Sequence, residues 1–275
     1  MNDPIDLYLD LMKKTLTFLL WDESKLFQRS KLDPHPFYKK WLVEAIERRL
    51  ANSGRQIMES RPTQGNHRME GRDWPPLAHT MIGLKRLDNL EYCVRSVIEE
   101  KVPGDLIETG VWRGGSCIFM KAVLKAYKVT NRTVWLADSF AGLPAPDAKK
   151  YPKDSKDTHH TYDVLRVSEE EVVDAFRRYG LLDDRIKFLV GWFKDTLPEA
   201  PLEKLSVLRL DGDMYESTWQ ALLYLYPKLS SGGFCIVDDY FLEGCRAAVK
   251  DYRKQHGIEE EIHDIDGLGV FWRRV

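Results

Sequence analysis

The chain has 275 residues, 43% of them hydrophobic and 31% charged, with a net charge of −2. That balance belongs to a globular protein with one large domain, or one domain with an appended helical segment. It excludes a polybasic nucleic-acid arm, because pairs such as Arg177-Arg178 and Arg273-Arg274 read as solvated faces.

The N-terminus, MNDPIDLYLDLMKKTLTFLLW, places Ile5, Leu9, Met12, Leu16, Leu19 and Leu20 on one helical face. It has acids where a secretory leader has its basic region, lysines in mid-segment and no small-residue cleavage site, so the expected location is cytoplasmic and off the membrane. A second helix, PFYKKWLVEAIERRLANSG, stops at a glycine. Residues 1–60 thus read as a helical extension, placed to contact another subunit or the substrate pocket. Residues 61–79 hold three prolines, two glycines and two histidines, which is loop chemistry. A helical pattern returns from Met81 to Glu100.

Beyond it strand and helix alternate. Leu106-Ile107 is a strand leading into a glycine loop, and a helix runs from Cys117 to about Tyr127. Thr133–Ala137 is a strand ending at Asp138, followed by a polar insertion from about Gly142 to Ser168. Ser168 then caps a helix, with Glu171 completing the cap. Strands follow at Ile186–Val190, Val207–Leu210 and Phe234–Val237, and the tail supplies two closing strands, the last carrying Val270, Phe271 and Trp272. This alternation predicts a mostly parallel, doubly wound α/β sheet with an antiparallel C-terminal edge. Cys93, Cys117, Cys235 and Cys245 have no CxxC spacing, which argues against a disulfide framework or a zinc site.

Two acidic clusters follow apolar runs: Asp211 and Asp213 after Val207–Leu210, and Asp238 and Asp239 after Phe234–Val237. Both fall at the carboxyl edge of the sheet, where open α/β folds bind ligands. One Asp caps one helix, so capping leaves most of them unexplained. Crowded carboxylates call for a cation, Mg²⁺ first, since oxygen ligands suit a hard divalent ion. Asp211 and Asp213 lie two apart, so in an extended segment they face the same side.

The glycine loop Glu108-Thr109-Gly110-Val111-Trp112-Arg113-Gly114-Gly115-Ser116 departs from GxGxxG by the acid at Glu108. An acid repels a pyrophosphate but suits the ammonium and sulfonium of S-adenosylmethionine. Asp138, ending the next strand, is placed for ribose hydroxyls. A metal-dependent hydrolase or isomerase would use the same aspartates but has no use for Glu108. A non-catalytic nucleoside-binding protein would need neither metal ligands nor a base.

ETGVWRGGS, DSFAGLP, GWF, RLDGDMYEST and IVDDY, with RPTQGNHRMEGRDWPPLAHTMIGLKRLDNL upstream, closely resemble the macrocin O-methyltransferase family over about residues 60 to 275. The resemblance implies a Rossmann-like class I methyltransferase domain over residues 61–275, dependent on S-adenosylmethionine and Mg²⁺ and assembled as a homodimer or larger homo-oligomer. It implies that Asp211, Asp238 and Asp239 ligate Mg²⁺ and that Asp213 is the general base. Glu108, Gly110, Ser116, Asp138 and Ser139 would hold the cofactor, with Thr80 and Met81 nearby and Trp192 and Phe193 by the adenine. The expected acceptor is a hydroxyl of a sugar on a natural product, with phenolic, catechol and polyketide hydroxyls as alternatives. The insertion is expected to fold over the site as a lid, and His159 or His160 within it is the competing base.

Overall fold

The computed structural model describes residues 3–21, 27–28, 45–55, 58–59 and 66–275. Helix α1 (Pro4–Leu16) starts behind Asp3, whose carboxylate accepts from the Ile5 N–H, and it buries Leu9, Met12 and Leu16. Of the second expected helix, residues 45–51 are helical, and residues 36–44 lie outside the described residues, as do residues 61–65 of the expected loop. The remainder of that loop is less irregular than its prolines predict. His67–Glu70 forms a helical turn, ended by Gly71 in the left-handed region.

The main sheet has seven strands: β1 (Asp105–Thr109), β2 (Val134–Asp138), β3 (Ile186–Val190), β4 (Leu205–Leu210), β5 (Leu229–Val237), β6 (His263–Asp264) and β7 (Val270–Arg273). Their order is β3-β2-β1-β4-β5-β7-β6. The first five are parallel, and β6 and β7 form the antiparallel edge. The helices are α2 (Leu84–Glu99), α3 (Gly115–Ala126), α4 (Glu169–Arg178), α5 (Tyr215–Leu225) and α6 (Glu243–His256). Ser168 and Glu171 form the expected capping box at the start of α4.

Successive strand residues alternate between two apolar layers, as strand geometry requires. Leu106, Val134, Leu136, Val207, Phe234 and Ile236 face α1 to α4. Ile107, Trp135, Ala137, Leu208, Cys235 and Val237 face α5 and α6. The four cysteines are buried and free. α1 shares the first core, so the start of the chain is fastened to the sheet domain.

The strand order reverses between β1 and β4, the crevice where doubly wound sheets take ligands. Asp211 N donates to Thr109 O there at 2.9 Å. β5 begins five residues before the expected Phe234, running through Ser230-Ser231-Gly232-Gly233. Its apolar signal starts later because that first half lies beyond the buried centre of the sheet. Among the described residues no helix is long and apolar enough to cross a membrane.

Candidate active site

The crevice opens into a cavity of about 670 Å³ lined by all the residues expected to hold cofactor or metal, and by Asp213. The turn from β1 to α3 requires glycine at Gly110: φ is +84°, and a Cβ there would lie 1.6 Å from Asp211 O. This contact brings the glycine loop against the first acidic cluster. Asp138 Oδ2 accepts from Val111 N at 2.7 Å and Oδ1 from Phe140 N at 2.8 Å. Burial pushes its pKa up against those two bonds. Each carboxylate oxygen has two acceptor sites, so Asp138 retains capacity for a ligand hydroxyl. Thr80 and Ser116 are buried beside the same loop, joined by Gly115 N donating to His79 O at 2.9 Å. Ser139 Oγ donates to Gly142 O at 2.7 Å. Trp192 caps and Phe193 begins the short helix Phe193–Thr196.

Asp211, Asp238 and Asp239 each offer an oxygen, all within 4.8 Å of one another. Two guanidinium groups, neither of them among the expected site residues, hold Asp211 and Asp238. Arg209 on β4 is 1% exposed. It pairs with Glu108, with Asp211 Oδ2 at 2.7 Å and with Asp238 Oδ1 at 2.5 Å. Strand register explains the convergence. Glu108 lies opposite Arg209, and Asp211 and Asp238 follow on the same face of their chains. Arg86 on α2 pairs with Asp238 Oδ2 at 2.5 Å and with Asp266 at 3.0 Å, and donates to Gly71 O at 3.0 Å. Glu108 also accepts from Cys117 Sγ at 2.7 Å. Burial pushes Glu108 up to about 7 while Arg209 pulls it down.

Asp213 departs from the extended conformation expected of it. Its φ is +57°, which an Asp tolerates better than most residues. That turn directs its N–H to Asp239 Oδ2 at 3.1 Å, joining the two acidic loops. Burial and the neighbouring Asp211 charge raise Asp213 to about 7. Burial first, then Asp213, Asp211 and Asp238, push Asp239 well above the usual carboxylate range. Such mutual elevation marks a site short of positive charge.

The structure separates the two histidines of the insertion. His159 lines the cavity, with Nδ1 2.7 Å from Asp157 Oδ2. The Asp157 hydrogen bond raises its pKa, and the Asp213 charge adds to the effect. His160 has a buried Nδ1 without a hydrogen-bond partner. The insertion runs through three single turns, Pro152–Asp154, His159–Thr161 and Asp163–Leu165. Trp112 of the glycine loop ties down its far end by donating to Val164 O at 2.8 Å.

The sequence matches the macrocin-O-methyltransferase family over residues 5–274. It is 51% identical over 273 residues to an 8-demethyl-8-(2,3-dimethoxy-alpha-L-rhamnosyl)-tetracenomycin-C 4'-O-methyltransferase of Streptomyces olivaceus, covering 99% of this chain and 94% of that one. It is 45% identical to the mycinamicin III 3''-O-methyltransferase of Micromonospora griseorubida, covering 98% and 97%. The solved structure of the O-methyltransferase NovP superposes with a TM-score of 0.84 at 46% identity, over 98% of this chain and 99% of that one. A calicheamicin methyltransferase, 19% identical with a TM-score of 0.57 over 99% of this chain and 94% of that one, shares the fold. The chain belongs to the macrocin-O-methyltransferase family and is an O-methyltransferase.

Proposed function

We propose that this enzyme transfers a methyl group from S-adenosylmethionine to a hydroxyl of a sugar carried by a natural product, with Mg²⁺ at Asp211, Asp238 and Asp239. One observation carries the reading: a glycine loop suited to a nucleoside and a convergent aspartate cluster open into the same cavity. The residues fit both groups. Acids outnumber the Arg86 and Arg209 guanidinium groups around Asp238, which leaves a demand for positive charge that a hard cation meets. Hydrogen bonds from arginine to a ligating carboxylate are the usual outer support of a metal site. Relatives acting on a rhamnosylated tetracenomycin and on mycinamicin III support a glycosylated acceptor.

When bound, the two groups supply an electrophilic methyl and a Lewis acid that lowers the pKa of the acceptor hydroxyl. Asp213 Oδ would accept the proton of the acceptor hydroxyl. Glu108 and Asp138 would hold the methyl donor by its ammonium and ribose, with Trp192 and Phe193 as the residues beside its base. The insertion excludes water, and His159 faces the acceptor from that roof.

Calorimetry with S-adenosylhomocysteine tests the cofactor directly, and absence of binding would remove the nucleoside reading. Mass analysis of products from a panel of glycosylated and phenolic acceptors identifies the substrate class, with a methylated sugar as the expected product. EDTA is expected to abolish turnover, and activity unchanged by it would remove the metal. Proton linkage gives an independent check. Burial and mutual repulsion raise Asp211, Asp213 and Asp239, so the site without a cation holds more protons than free aspartates would. A cation favours the ionised carboxylates, so its binding releases protons and strengthens as pH rises. Calorimetry of Mg²⁺ binding in buffers of different ionisation enthalpy measures that release, and proton uptake or none would contradict it.

A further inference from the structure

The helix that follows Asp213 has no cap of its own. α5 begins behind Met214, which makes no side-chain capping bond, because a thioether is a poor acceptor for first-turn N–H groups. The insertion satisfies them instead. Asp154 Oδ1 accepts from Tyr215 N at 2.6 Å and Oδ2 from Glu216 N at 3.0 Å, across 61 and 62 residues of sequence. Asp154 is 2% exposed, an unusual place for a carboxylate in a polar surface segment. Tyr151 beside it lies against the Tyr215 ring, centroids 6.0 Å apart.

The same carboxylate meets the helix that follows the second acidic cluster. A Cβ at Gly244, in the first turn of α6, would lie 2.7 Å from Asp154 Oδ1 and 3.1 Å from Tyr215 N. Only a glycine lets α5, α6 and the insertion approach so closely. Asp154 therefore sits where the two helices leaving the acidic loops converge. Those loops are themselves joined by the bond from Asp213 N to Asp239 Oδ2.

We propose that Asp154 is a positioning residue for the transfer site, through which the seated insertion sets the two loops carrying Asp211, Asp213, Asp238 and Asp239. Asp213 stands two residues before the first N–H that Asp154 captures, in a left-handed turn with little freedom to absorb a shift. Displacement of the first turn of α5 moves it, and with it the contact to Asp239. Docking of the insertion and assembly of the cation site are then one event, so the closed roof and a competent centre arise together. This rests on the metal-dependent reading above.

The test compares the full-length wild type with Asp154→Ala, Asp154→Asn and Gly244→Ala. Mn²⁺ affinity is read by electron paramagnetic resonance with S-adenosylhomocysteine saturating, and S-adenosylhomocysteine affinity by calorimetry. Asp154→Ala and Gly244→Ala are expected to weaken Mn²⁺ binding about tenfold, the lower end for loss of an outer support, with S-adenosylhomocysteine affinity held within about twofold. Asp154→Asn falls between, since its amide oxygen still accepts one bond without the charge. In the Asp154→Ala background Gly244→Ala is expected to add less than it costs alone, because the added methyl then meets only the Tyr215 and Met214 backbone. Mn²⁺ affinity unchanged in both single variants overturns the proposal, and so does an equal loss of both affinities, which signals general unfolding. A wild type that binds no Mn²⁺ sinks the metal reading and this proposal with it. A wild type that binds it while the variants match sinks this proposal alone.

Discussion

Asp213→Asn is expected to lower kcat by about 10²- to 10⁴-fold, the contribution of a positioned general base, while the protein still binds S-adenosylhomocysteine and Mg²⁺. The substitution isolates proton transfer for structural reasons. Asn is among the residues most at ease in the left-handed region, so the φ of +57° and the backbone bond to Asp239 Oδ2 survive. The amide cannot take a proton at neutral pH. Asp213 is also outside the group of three aspartates whose oxygens converge, so all three proposed cation ligands remain in the variant. Loss of kcat with KM little changed is the signature of an interaction made in the transition state. Full activity would remove Asp213 from the base role and direct attention to His159, which the Asp157 hydrogen bond holds in the same cavity. Single-turnover kinetics with mass detection of the methylated product separates these outcomes.

Much of the fold is legible in the sequence because both faces of the central strands are buried. Runs such as Val207–Leu210 and Phe234–Val237 stand out as apolar, and the helices between them are amphipathic. The antiparallel edge is legible for the same reason: Val270 and Trp272 alternate with half-exposed Phe271 and Arg273. What is lost is what burial does not mark. The first half of β5 has serine and glycine where the sheet thins, and the turn His67–Glu70 is a local hydrogen-bonding event among loop residues.

The site divides along a similar line. Asp211, Asp238 and Asp239 are visible because acids directly after buried strands have a known place in the fold, and the structure brings them together. The conformation of Asp213 is not visible, because β4 ends at Leu210 and local spacing beyond it no longer reports direction. Arg209 had a signal that goes unread when Val207–Leu210 is taken simply as apolar. Period-two spacing puts it on the face of Asp211, and a charge inside a core strand demands partners. Those partners depend on strand register, which one sequence does not contain. Arg86 and Asp154 act across 152 and 61 residues, and their meaning exists only once the chain is folded.

Arg209→Met is expected to destabilise the fold by about 3–5 kcal/mol, the usual effect of leaving buried charges without their partner. The thioether fills similar space, so the loss is chiefly electrostatic: Glu108, Asp211 and Asp238 all forfeit the same guanidinium. The pH dependence identifies the cause. Glu108 already sits at about 7 with Arg209 pulling it down, so removing that pull raises it further. A carboxyl raised in the folded state contributes stability that is present below its unfolded pKa and lost as pH rises through the folded one. The deficit of the variant is therefore smallest in acid and grows towards and beyond pH about 7, where the orphaned acids resist ionisation. Glu108→Gln in the same background is expected to recover part of the loss by removing one of the unpaired charges. Arg209→Lys is expected to recover less than a charge count implies, since a single ammonium cannot reproduce the fork reaching three carboxylates. Denaturant midpoints at several pH values, with an unchanged slope as the sign of two-state unfolding, measure all three. A deficit independent of pH would mean that Arg209 acts by packing alone, and that the charge of the centre is balanced elsewhere.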